Sequence, residues 1–101
     1  MDGNTDVWRF PQEIEFWLVP EYLKKIEGST FKNRIVFDLS ETDNVHSSFI
    51  GFLIFVKQSV EKQGGKLVLK VSSPLKKLFV MLNILEYFAT SFADQKIRKI
   101  A

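Results

Sequence analysis

Two compact apolar runs, Arg34 to Leu39 and Lys66 to Val71, bracket a long helical pattern that ends in Gly64-Gly65. A chain that alternates strands and helices over short connections favours a parallel sheet, because each helix carries the backbone across to the next strand. Arg34 to Leu39 is apolar on both faces, which places it at the centre of a sheet covered on at least one side. The remaining segments fit the same rhythm. Met1 to Asp6 is polar and reads as a frayed end. Val7 to Phe10 is a short strand, with Val7 and Arg9 on one face and Trp8 and Phe10 on the other. Pro11 closes it, since proline cannot donate to a ladder, and Glu13 to Phe16 adds a little extended chain.

The first helix carries Trp17, Leu18, Tyr22, Leu23 and Ile26 as an approximate stripe, with Pro20 in its first turn and Gly28 as its stop. Residues 29–33 form a linker. Ser40 to Asn44 is a loop of turn-forming residues. The second helix covers about Ser48 to Gln63 and stops at Gly64-Gly65. Ser72-Ser73-Pro74 opens a third helix over Leu75 to Leu82, and Asn83 suits a left-handed cap. Tyr87 to Phe92 reads as a final strand. Ala93 to Ala101 reads as a helical tail anchored by Ile97 and Ile100. The pattern predicts one α/β domain over residues 1–101, with about four mostly parallel strands covered by helices mainly on one face.

Composition excludes several classes of function. There is no cysteine, so disulfides, thiolate catalysis and cysteine-based zinc sites are ruled out. The net charge is +2 and the basic residues are interleaved with acidic ones, which names no nucleic-acid partner. Lys76-Lys77 and Lys96, Arg98 and Lys99 read as solvated surface. The longest apolar run, Phe49 to Val56, falls far short of the roughly 20 residues that span a bilayer. No apolar signal core opens the chain, so a soluble cytoplasmic protein is expected. There is no phosphate loop, dinucleotide fingerprint, nucleophile elbow or metal motif, and no cofactor is expected. Glu13 and Glu15 could share a strand face, but nothing in the sequence gives them the pocket that acid–base work needs.

One segment carries chemistry. His46-Ser47-Ser48 precedes the second helix, whose unpaired N–H groups and dipole would hold a phosphate. Serine is also a favoured N-cap, so capping and phosphate acceptance are both open readings of Ser47 and Ser48. His46, the single histidine, could pair with a phosphate on Ser47, bond within the loop or simply face solvent. Ile50, Leu53, Ile54 and Val60 make an ordinary core stripe on this helix. Phe49, Phe52, Phe55 and Val56 then lie on neighbouring faces, either buried by other elements or exposed as an aromatic partner-binding patch.

The run Val36-Phe37-Asp38-Leu39-Ser40, Glu41 to Val45, His46-Ser47-Ser48-Phe49-Ile50-Gly51, Gly64-Gly65 and Leu67-Val68-Leu69 resembles the STAS domain family. That fold is shared by anti-sigma factor antagonists and the cytoplasmic tails of sulphate transporters. The family pattern is Asp-Leu-Ser, a loop, Asp-Ser-Ser-Gly-Leu-Gly, a helix, Gly-Gly and a strand, and the spacing here matches without a gap. Ser73-Pro74-Leu75 and Leu82-Asn83-Ile84 extend the likeness, which covers about Val7 to Phe92. Two positions depart from it: His46 stands for the family's Asp and Phe49 for its first Gly. The first changes the charge beside the hydroxyl pair, and the second puts a large side chain where a kinase would need access.

The resemblance implies a non-enzymatic regulatory module with Ser47 as phosphoacceptor, Ser48 as second choice. Its partner would meet His46, Ser47, Ser48, Phe49, Phe52, Phe55 and Val56. The partner implied is a kinase-type anti-sigma factor, which supplies Mg²⁺, ATP and catalysis. The rival implication is a constitutive subunit seated on the ATPase of a phospholipid-transport ABC complex.

Overall fold

The protein is described by a computed structural model over residues 5–27 and 34–92. Its centre is a parallel sheet in the order β1-β3-β5, formed by Thr5–Arg9, Arg34–Leu39 and Lys66–Val71. The two apolar runs of the sequence therefore sit side by side, with β3 in the middle as its two-faced apolarity requires. Ile35, Phe37 and Leu39 of β3 and Leu67, Leu69 and Val71 of β5 point into one core, joined by Trp8 and Phe10 from the β1 side. Across the other face the register aligns Val7 with Val36 and Val36 with Val68, and then Arg9 with Asp38 and Asp38 with Lys70.

A second, two-stranded parallel ladder pairs β2 (Glu13–Ile14) with β4 (Asn44–Val45). The sheet thus has three strands among the described residues rather than about four, and the extra extended chain forms this separate ladder instead. β1 begins at Thr5, inside the segment expected to fray; residues 1–4 lie outside the described part, as do Gly28, the 29–33 linker and the expected tail over 93–101.

α1 (Leu18–Glu27) places Pro20 in its first turn, where a missing N–H costs nothing, and its last turn carries Lys24 and Lys25. α2 (Ser47–Lys62) lies against β5 and α1. It ends in a complete Schellman motif. Gly65 N–H donates to the Val60 carbonyl (2.9 Å) and Gly64 N–H to the Glu61 carbonyl (3.0 Å), with Gly64 at φ 85°. α3 (Ser73–Met81) ends the same way around Asn83 at φ 60°, with Ile84 N–H on the Phe79 carbonyl (3.0 Å) and Asn83 N–H on that of Val80 (3.0 Å). Both stops were expected from the sequence, since only residues that tolerate left-handed backbone fit them.

The strand expected over Tyr87 to Phe92 is a correction. Residues 85–88 form tight turns and Ala89–Ser91 a 3₁₀ helix. Phe88 and Phe92, four apart, both pack on Phe79, with ring centroids at 5.4 and 5.9 Å. In a strand, residues four apart share a face but lie about 13 Å apart, too far for both to reach one ring, whereas helical turns bring them together.

Candidate functional site

The start of α2 is fixed by ties among the segments that follow the three central strands. Thr42, fully buried, donates its hydroxyl to the Pro11 carbonyl at 2.6 Å. Its own carbonyl accepts the Ser72 hydroxyl at 2.5 Å, and that same Ser72 oxygen caps α3 by accepting Leu75 N–H at 3.2 Å. The N–H groups of Asp43 and Asn44 both donate to the Gln12 carbonyl (3.0 and 3.3 Å), and His46 N–H donates to that of Ile14 at 2.8 Å. The backbone reaching His46 is thus bound on both sides of the β2–β4 ladder. Beside it, Asp38 accepts the Ser40 hydroxyl at 2.6 Å and the Ser40 N–H at 3.1 Å. These bonds, with Lys70 and Arg9 nearby, hold the Asp38 carboxyl below the usual carboxylate range.

His46 is extended (φ −72°, ψ 148°) and is itself the N-cap. Its Nδ1 accepts the backbone N–H of Ser48 at 3.1 Å and lies 2.9 Å from the Ser48 hydroxyl. A nitrogen that accepts carries no proton, so this cap requires the tautomer protonated on Nε2. Capping by either serine is therefore corrected: Ser47 and Ser48 are the first two helical residues, because an acceptor one position earlier already serves the free N–H. His46 thus bonds locally, to the first turn of α2, and is also exposed to solvent. Both hydroxyls are exposed, and the first turn of α2 contains no acidic residue.

The expected aromatic patch is corrected as well. Phe49, Phe52 and Val56 are 0%, 3% and 0% exposed and cannot meet a partner in this conformation. Phe49 lies edge-on to Phe10 (5.5 Å between centroids) and Phe52 stacks parallel to Phe37 (6.1 Å, 6°). Tyr22 of α1 closes the other flank, at 6.2 Å from Phe49 and 6.0 Å from Phe52. With the sheet below and α1 beside it, α2 buries two adjacent stripes instead of one. Phe49, buried in this way, does not obstruct Ser47. Phe55 remains 40% exposed.

What reaches solvent is a narrow stripe. Ser47, Gly51 and Phe55, spaced four apart on one helix face, are all exposed. Gly51 is not required by the fold, since a Cβ there would meet nothing within 4 Å. Two aromatic residues that the sequence reading assigned elsewhere join this surface. Phe16 and Trp17 are 59% and 56% exposed. Their rings meet edge-on at 5.6 Å, and Phe16 lies 5.7 Å from the His46 imidazole. No local pattern marked them as exposed, since which neighbours cover a ring is decided by the tertiary fold. Trp17 falls just before α1 and takes no part in its stripe. A groove of about 340 Å³ runs between this aromatic pair and the β2–β4 ladder, and Glu13, Glu15 and His46 also line it. The carboxylates for which the sequence indicated no pocket thus border one.

Among the described residues no cluster of histidines and carboxylates could hold a metal ion, and no helix is long and apolar enough to cross a membrane.

A sequence profile of the STAS domain matches residues 3–97. Among proteins of curated function none matches. Among solved structures, a sulfate transporter family protein from Wolinella succinogenes superposes with a TM-score of 0.76 at 13% identity, over 86% of this chain and 73% of that one. At that identity the likeness concerns the fold.

Proposed function

We propose, from the premise that this chain belongs to the STAS domain family, that it is a non-enzymatic regulatory module of the bacterial cytoplasm. It resembles an anti-sigma factor antagonist and binds a kinase-type anti-sigma factor through the start of α2, with Ser47 as the phosphoacceptor. The observation that carries this reading is the exposed stripe Ser47–Gly51–Phe55, headed by a hydroxyl at a helix N-terminus with no carboxylate in its first turn. Phosphate on Ser47 would bring about −1.5 to −2 charges to a position that the helix dipole favours. The domain would stay folded while the docking face became strongly anionic. Gly51 supports a close approach, because a glycine inside a helix costs about 0.5–1 kcal/mol relative to Ala and nothing internal requires it.

A second reading, a constitutive subunit on the ATPase of a phospholipid-transport ABC complex, is favoured by the exposed Phe16–Trp17 pair, an apolar surface that needs no switch. The two separate experimentally. Incubation with the cognate kinase and Mg-ATP, followed by mass spectrometry, should place phosphate on Ser47, and Ser47→Asp should abolish capture of that kinase. An aspartate at this position is favoured at a helix start, so lost binding reports on the interface and not on folding. An unmodified Ser47 together with recovery of an ATPase subunit supports the second reading.

A further inference from the structure

We propose that the groove beside the start of α2 receives an arginine side chain from a basic segment of the docking partner. This deepens the reading above and rests on it for the partner's being a protein. Glu13 and Glu15 line the groove, and among the described residues no lysine or arginine does. That is an acidic locus on a chain whose net charge is +2. One rim is made by Phe16 and Trp17, more than half exposed although both are large apolar rings. Aromatic faces attract cations, Trp most strongly and guanidinium groups most often. A planar guanidinium can stack on such a ring while its edge donates to carboxylates, which a compact ammonium does less well.

The lining thus offers both kinds of contact that arginine uses. The two carboxylates disfavour the alternative occupant of an exposed aromatic pair, an anionic lipid surface. The groove also adjoins His46, the residue immediately before Ser47 at the head of the Ser47–Gly51–Phe55 stripe.

The test titrates the full chain with a capped Gly-Arg-Gly-Arg-Gly peptide and follows the two indole N–H signals by NMR, assigned through Trp8→Phe. The Trp17 signal should shift, and the apparent affinity should fall about two- to five-fold for each of Glu13→Gln and Glu15→Gln. It should fall further between low and high salt. A peptide with glutamate in place of arginine should leave the signal in place. Equal shifts with both peptides, an affinity unchanged in the Glu13→Gln/Glu15→Gln variant, or a shift produced by phosphatidylglycerol vesicles and not by the arginine peptide would each overturn the proposal. Ser47→Asp serves as the divider. If it loses kinase capture yet still binds the peptide, both readings stand. If kinase capture and phosphorylation fail while the peptide binds, only the assigned partner is lost; if the peptide fails while they persist, only the groove's occupant is.

Discussion

The backbone N–H of Ser48 donates to Nδ1 of His46 at 3.1 Å, so an imidazole, and neither serine, caps the helix that carries the candidate site. His46→Ala removes this acceptor and is expected to cost about 0.5–2 kcal/mol. His46→Asp, which restores the residue type the STAS pattern has there, should return the stability or exceed it, because a carboxylate also complements the dipole. Urea denaturation midpoints of the three proteins decide this. Equal stability of wild type and His46→Ala would refute the cap.

Burial separates the aromatic residues into two groups with opposite expected behaviour. Phe49→Ala empties a site enclosed by Phe10, Tyr22 and Phe52 and should destabilise by about 3–5 kcal/mol. Phe16→Ala and Trp17→Ala remove exposed rings and should change stability by no more than about 0.5 kcal/mol. Thermal melts combined with partner capture test the assignment: the exposed pair should affect binding alone.

Two glycines, one inside α2 and one just past its end, should respond to alanine with opposite signs. Gly64 sits at φ 85°, where an L side chain is strained, so Gly64→Ala should cost about 1–2 kcal/mol even though its Cβ would touch nothing. Gly51 is helical with open space around it, and Gly51→Ala should stabilise by about 0.5–1 kcal/mol. If Gly51 serves a partner's close approach, the same substitution weakens capture while it raises the melting temperature.

Asp38 is held below the ordinary carboxylate value of about 3.9, first by the Ser40 hydroxyl, then by the Ser40 N–H. A depressed folded pKa means the ionised form contributes stability that is complete above the unfolded value. That contribution is lost as pH falls through the folded one. Asp38→Asn should therefore lower stability at neutral pH and flatten its decline below about pH 4. Denaturation series at pH 7 and pH 3 measure both effects, and parallel pH profiles for the two proteins would contradict it.

How much of this was legible in the residues varies element by element. β3 and β5 occupy the bounds read from their apolar runs, and Gly64 and Asn83 take left-handed backbone as their positions after helices suggested. The hydroxyl start of α3 at Ser72 and Pro74 likewise follows the reading. Each of these depends on sterics within a few residues, which a linear chain displays. The identity of the α2 cap did not follow, because histidine is not among the side chains that ordinarily announce a helix start.

The sequence by itself determined the alternation, the central strand and the helix stops, and with them the family to which the chain belongs. Only tertiary structure decided which rings face water. Tyr22 arrives from α1 to seal Phe49 and Phe52, Phe79 draws Phe88 and Phe92 into turns, and among the described residues nothing covers Phe16 and Trp17 beside two glutamates. Burial is a property of the neighbour as much as of the residue, and neighbours distant in the chain leave no local mark on its pattern.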